Sequence, residues 1–119
     1  MIEMIPTETG NVIGLIVDGK IETNDVEMIS KAIEEKLKQH QKLRVYVELK
    51  HLGGISLEAL LADLKLALHH LSHFEKKAVV CEPTWFTKLA AASAKLFPQI
   101  EVKCFSWAET EQAREWAKN

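Results

Sequence analysis

The stretch that decides the fold is Leu43-Arg44-Val45-Tyr46-Val47-Glu48-Leu49, whose alternation of apolar and polar side chains predicts a β-strand. A loop over Lys50 to Ser56 follows, and Ser56 is placed to cap a helix. The apolar stripe of that helix recurs at helical spacing, as Leu57, Leu60, Leu61, Leu64, Leu68 and Leu71. Lys77 to Cys81 then predicts a second strand, so this part of the chain reads strand, helix, strand.

Further strands and helices are predicted toward both termini. Ile2 to Ile5 and Val12 to Val17 predict an antiparallel pair of strands joined by a turn at Gly10-Asn11. The next helix has its apolar positions at Val26, Ile29, Ile33 and Leu37, is predicted to end at His40-Gln41-Lys42, and has Thr23 or Asn24 as its N-cap.

Three more elements complete the chain. They are a helix from Pro83 to Leu96, a strand from Ile100 to Phe105 and a last helix carrying Ala108, Gln112, Ala113 and Trp116. The order β-β-α-β-α-β-α-β-α predicts one α/β domain over residues 1–119, with a mainly parallel sheet, an antiparallel first hairpin and four helices. We expect the strand from Lys77 to be internal and the strand from Ile2 to lie at or near an edge.

Composition excludes several classes of protein. The chain has 119 residues, 47% of them hydrophobic, and a formal net charge of -2, which is typical of one globular domain and not of a nonspecific nucleic-acid binder. The segment Met1 to Pro6 lacks the basic and long apolar regions of a signal peptide, which predicts a cytoplasmic protein. Cys81 and Cys104 are therefore predicted to be buried thiols and not a disulfide.

The order of elements resembles that of STAS domains, and the closer likeness is to the SpoIIAA-like family of small bacterial proteins. The likeness is carried by Val45 to Leu49 with the Gly53-Gly54 loop, by Lys77 to Trp85, and by Glu101 to Phe105 leading into Glu111 to Trp116. That family is similar in fold to the CRAL-TRIO lipid-binding domains. The resemblance implies a non-enzymatic role, either in regulatory protein contacts or in holding apolar ligands and meeting membranes.

The resemblance also raises the question of a phosphorylation switch near Ser56. The antagonist branch of STAS proteins is switched at a serine in an Asp-Ser-Ser-Gly-like loop. The corresponding stretch here, His51 to Ser56, has no acid and no serine pair, so Ser56 is the one candidate. Gly53 and Gly54 either form a tight turn or expose backbone N–H groups to an anion at the start of the helix.

A candidate binding surface follows from where two loops end. Leu52 and Ile55 follow one predicted strand, and Trp85 and Phe86 follow the next. In parallel α/β sheets ligands bind beyond the carboxyl ends of the strands. These four side chains either cover the core or form an apolar mouth between the helices that begin at Ser56 and Pro83.

Two functional hypotheses follow. The first is a module for an apolar small molecule or lipid, with reversible association at a membrane surface; the second is a STAS-type module for a regulatory protein, with Ser56 as its switch. A homodimer is compatible with either.

Metal and catalytic motifs are weak. His69 and His73 are four residues apart beside His70, but no third ligand and no His-Glu-x-x-His pattern accompanies them. We expect these histidines to face solvent or make ordinary hydrogen bonds, with no metal and no cofactor. No Ser-His-Asp set is recognisable, which predicts that the protein is not an enzyme.

Overall fold

The computed structural model describes residues 1–7, 9–52, 54–67 and 71–119. Within them the strands and helices follow the predicted order. They are β1 (Ile2–Ile5), β2 (Val12–Asp18), α1 (Thr23–Leu37), β3 (Leu43–His51), α2 (Leu57–Ala67), β4 (Phe74–Val80), α3 (Phe86–Leu96), β5 (Glu101–Phe105) and α4 (Thr110–Lys118). Short 3₁₀ turns precede β4, α3 and α4, at Leu71–His73, Pro83–Trp85 and Trp107–Glu109.

The five strands form one sheet in the order β1-β2-β3-β4-β5. β1 pairs with β2 in antiparallel fashion, and every other pair is parallel. The predicted fold is therefore confirmed, with β1 at an edge and β4 between β3 and β5.

One boundary differs in a way that affects the site. β4 begins at Phe74, three residues before the predicted start at Lys77. Lys77 is therefore not the first residue of the strand but lies in its middle, paired in register with Val45 on β3 and Val102 on β5.

The two faces of the sheet are covered by different helices. Alternate residues of a strand point to opposite faces, so Val79 lies on the face covered by α1, α2 and α3, and Ala78 and Val80 lie on the face covered by α4. Fully burying one large apolar side chain contributes about 1.5–3 kcal/mol, so both layers stabilise the sheet.

The start of α1 corrects the predicted cap. The N-cap is Glu22 and not Thr23 or Asn24. The buried carboxylate of Asp25 accepts hydrogen bonds from the backbone N–H of Glu22 at 2.8 Å and of Ile2 at 3.3 Å. Asp25 thereby caps the helix and ties it to β1, a contact that residues far apart in sequence make only after folding.

Candidate functional site

The predicted apolar mouth is divided between core and surface. Leu52, Trp85 and Phe86 are half-buried and each packs against the larger apolar core. Ile55 is exposed, with 38% of its surface accessible. Three of the four side chains thus contribute to covering the core, and Ile55 faces outward beside the start of α2.

Ser56 caps α2 as predicted. Its exposed hydroxyl accepts a hydrogen bond from the backbone N–H of Ala59 at 3.1 Å. Gly54 has a φ of 88°, a left-handed conformation that favours glycine, as the predicted tight turn requires. Gly53 lies outside the described residues.

The histidine cluster is described only in part. His69 and His70 lie outside the described residues. His73 is exposed, with its ring Nδ1 3.3 Å from the backbone oxygen of Gln41. The described residues contain no group of three His, Cys, Asp or Glu side chains placed to hold a metal ion.

A second feature, which the sequence did not indicate, is an apolar cavity of about 120 Å³ between the sheet and helices α1, α2 and α3. Its walls do not include Leu52, Ile55, Trp85 or Phe86. They are formed mainly by side chains of β2, β3 and β4 below and of α1, α2 and α3 above, among them Leu15, Val45, Val47, Ile29, Leu60 and Leu89.

The cavity lies between the apolar stripe of α2 and the centre of the sheet. The backbone of α2 runs closer to α3 than to any strand. On β3, the middle strand, Leu43 and Leu49 are buried, yet Val45 and Val47 between them on the same face are only half-buried. Strands of a parallel sheet covered on both faces are normally buried, so this cavity reaches the centre of the molecule from solvent.

Lys77 is the one charged side chain among the described residues that line the cavity. It is 9% exposed, and its Nζ donates a hydrogen bond to the Ser93 hydroxyl at 2.9 Å. The same ammonium lies 4.8 Å from the centre of the Phe97 ring. Burial lowers the pKa of Lys77 to about 8, a shift that Cys104 partly opposes.

The buried position of Lys77 was not predicted, because the predicted strand began with this residue and a charged residue at the end of a strand is normally exposed. The available signal was its phase: Lys77 lies two residues before Val79 and four before Cys81, so all three share one face of an extended strand. Ser93 lies four residues after the buried Leu89, on the inward side of α3.

Neither cysteine is a reactive thiolate in this setting. Burial raises the pKa of Cys81 to about 12 and also raises the pKa of Cys104. Both thiols are free; Cys81 is buried, as predicted, and Cys104 is half-buried. They behave as small apolar side chains on the cavity side of the sheet.

A polar network holds α4 on the opposite face. The Tyr46 hydroxyl donates to Glu48 Oε2 at 2.7 Å, and Arg114 reaches the same oxygen at 3.5 Å. Burial is the main reason that the pKa of Tyr46 is raised to about 12. These contacts join β3 to α4 and stand apart from the apolar cavity.

A comparison with families of known proteins matches residues 12–118 to the model of the SpoIIAA-like family. The chain belongs to the SpoIIAA-like family. Because the match covers nearly the whole fold, this SpoIIAA-like chain is a STAS-type module. No curated protein and no solved structure matches it. The likeness to CRAL-TRIO domains and the bacterial origin stay predictions.

The length and apolar character of the helices in this SpoIIAA-like chain bear on whether one of them could cross a membrane. In the part of the chain that the structure describes, no helix combines the length and apolar character needed to cross a membrane.

Proposed function

We propose that this SpoIIAA-like chain is a non-enzymatic binding module that takes a small apolar molecule into the cavity between its sheet and helices α1 to α3. The observation that carries the proposal is the half-buried state of Val45 and Val47 at the centre of the sheet. A fold that needed only a core would bring α2 down onto these valines, because each apolar Å² removed from water contributes about 25 cal/mol.

The size of the cavity sets the size of the ligand. Its volume of about 120 Å³ is close to that of an engineered protein cavity of roughly 150 Å³ that stays dry and binds benzene. A molecule of six or seven carbon atoms matches this space. Small ligands gain roughly 0.3–1.5 kcal/mol per non-hydrogen atom, so seven such atoms contribute at least about 2 kcal/mol, and we expect a dissociation constant of about 30 mM or tighter.

The lining supports binding and not catalysis. Apart from Lys77, the described lining residues are aliphatic or phenylalanine. Triad-type and carboxylate-pair catalysis each need at least two titratable side chains placed together. Ser93 and Cys104 are the polar neighbours of Lys77, and the raised pKa of Cys104 keeps that thiol neutral.

The test uses 1-hexanol as a neutral probe, titrated into protein with isotope-labelled valine and leucine methyl groups. We expect saturable shifts of the Val45 and Val47 methyl resonances in the NMR spectrum. Val47→Phe fills the cavity and should abolish the shift of Val45, whereas Ile16→Phe, on the opposite face of β2, should leave both shifts in place. Absence of saturable shifts in the wild-type protein, or equal binding by Val47→Phe, would contradict the proposal.

A second candidate function is contact with a regulatory protein at the start of α2. Ile55 and Ser56 are both exposed there, beside the hydroxyl cap of the helix. STAS-type membership favours this role. It is tested by placing a photo-crosslinking residue at position 55 in cells, with position 28 as the control, because Met28 is similarly exposed at 36%. One protein crosslinked reproducibly from position 55 alone supports the contact; equal products from both positions contradict it.

A further inference from the structure

We propose that a cleft beside α4 binds a free α-amino acid with a large apolar side chain. The cleft has a volume of about 350 Å³ and lies between α4 and the hairpin of β1 and β2. It is separate from the apolar cavity, because no described residue lines both and the two lie on opposite faces of the sheet. Its ligand can therefore be tested independently of the proposed function.

The apolar part of the cleft comes from the sheet and the hairpin. α4 packs on β3, β4 and β5 and leaves a space beside the hairpin. Val12 and the Tyr46 ring form the floor of this space, and Ile5 and Pro6 form the wall opposite α4. The volume falls in the range of roughly 300–1,000 Å³ that is usual for small-molecule sites. The cleft thus has room for one small molecule with an apolar part.

The other wall of the cleft is a charged stripe of α4. Its members share one side of the helix, because they are separated by three, one and three residues; they are Glu111, Arg114, Glu115 and Lys118. Negative and positive side chains alternate along this stripe. A ligand with a single charge is attracted to one side chain and repelled by its neighbour, whereas a ligand that carries both charges is attracted to both.

Arg114 is both held in position and accessible. Its Cζ atom lies 5.2 Å from the centre of the Tyr46 ring, and its Nη2 atom lies 3.5 Å from Oε2 of Glu48. The Arg114 side chain is nevertheless 58% exposed, and a guanidinium has five N–H donors, so donors remain for a ligand. An edge of the guanidinium matches the two oxygens of a carboxylate.

Glu111 supplies the opposite charge. It is exposed, and among the described residues no cationic nitrogen lies within 4.0 Å of its carboxylate. Glu115, in contrast, is already paired with Lys118 at 2.8 Å. Residues three apart on a helix are neighbours, so Glu111 and Arg114 lie side by side without forming an ion pair. An α-amino acid carries its ammonium and its carboxylate on one carbon atom, so it can meet both side chains while its own side chain covers the apolar floor.

The experiment titrates four probes into protein with isotope-labelled isoleucine and valine methyl groups. The probes are L-leucine, isocaproate (leucine without its ammonium), isoamylamine (leucine without its carboxylate) and glycine, which lacks the apolar side chain. We expect leucine to cause saturable shifts of the Ile5 and Val12 methyl resonances. Its affinity should be about fivefold higher than that of isocaproate or isoamylamine, as for a partly exposed ion pair, and glycine should bind most weakly.

Three results would overturn the proposal. The first is the absence of saturable shifts with leucine. The second is an equal affinity for leucine and for either analogue that lacks one charge. The third is a set of shifts confined to Val45 and Val47, which would place leucine in the apolar cavity.

Two variants assign the charges. Glu111→Gln removes the carboxylate and should bind leucine no more tightly than isocaproate, and Arg114→Gln removes the guanidinium and should bind leucine no more tightly than isoamylamine. Glu27→Gln makes the first change on α1, on the other face of the sheet, and should keep both preferences. A preference for leucine over isocaproate that persists in Glu111→Gln contradicts the proposal, even if Arg114→Gln fails to fold because it also loses the contact with Glu48.

Discussion

At the scale of the residue, Lys77 lowers the stability of the fold that contains it. Its pKa of about 8 in the folded protein lies below the ordinary value of 10.5 because burial disfavours the ammonium. An ammonium that loses hydration without gaining an opposite charge costs the folded protein free energy, and one unit of pKa shift corresponds to about 1.4 kcal/mol. We expect Lys77→Met to raise the free energy of unfolding by about 1–3 kcal/mol at pH 7, measured by urea denaturation.

The sign of the pH dependence follows from the two pKa values. Between pH 8 and 10.5 the unfolded chain binds more protons at Lys77 than the folded protein does. The contribution of Lys77 to the free energy of unfolding of the wild-type protein therefore rises with pH. The difference in free energy of unfolding between Lys77→Met and wild type should therefore decrease from pH 8 to pH 10.5. A difference between Lys77→Met and wild type that stays constant across this window would contradict the buried charge.

The position of Lys77 also shows why part of the site was not predictable. The alternation of residues 77, 79 and 81 was visible in the sequence, but the strand start was placed at Lys77 because Glu75-Lys76-Lys77 carries no apolar signal. Hydrophobic periodicity locates the apolar part of a strand and leaves its charged end undefined. The three-residue extension to Phe74 moves the lysine from an exposed end to a buried middle.

At the scale of the element, the N-terminus of α1 depends on Asp25. Its carboxylate accepts from two backbone N–H groups, those of Glu22 and Ile2. Removing it leaves both donors in a poorly solvated place, and each unsatisfied buried donor costs about 1–3 kcal/mol. We expect Asp25→Ala to lower the free energy of unfolding by at least about 1 kcal/mol in chemical denaturation.

Thr23→Ala is the matched control for that prediction. Thr23 was, with Asn24, one of the two predicted caps, but it is exposed and Glu22 is the observed N-cap. Its substitution should change stability by less than about 0.5 kcal/mol, as at other surface positions. If Thr23→Ala were the more destabilising of the two, the helix would be capped as the sequence alone suggested. Local capping rules favoured Thr23 or Asn24, whereas the contact from Asp25 to β1 is long-range, which explains the difference.

At the scale of the whole molecule, the topology was predictable and the cavity was not. Alternating strands and helices leave few arrangements other than a parallel sheet covered by helices, so the chain order alone predicts the fold. The leucine stripe of α2 says which side of that helix faces inward but not how closely it approaches. The distance of α2 from the sheet depends on how α2, α3 and β3 pack together, so it cannot be predicted from the sequence of any one segment.

The last prediction concerns the stability of α2 within the whole fold. Because α2 lies closer to α3 than to the sheet, with the cavity below it, its amides should exchange with solvent faster than those of β4, which is internal and paired on both sides. The measurement is native-state hydrogen exchange, with and without 1-hexanol. At a concentration 100 times the dissociation constant, a ligand stabilises the folded state by about 2.7 kcal/mol and should slow exchange of β4 amides that open by global unfolding about 100-fold. Amides of α2 should slow as well, because the ligand fills the space between this helix and the valines of β3. If α2 exchanges as slowly as β4 and neither responds to the ligand, the helix is firmly packed and the cavity is not a binding site.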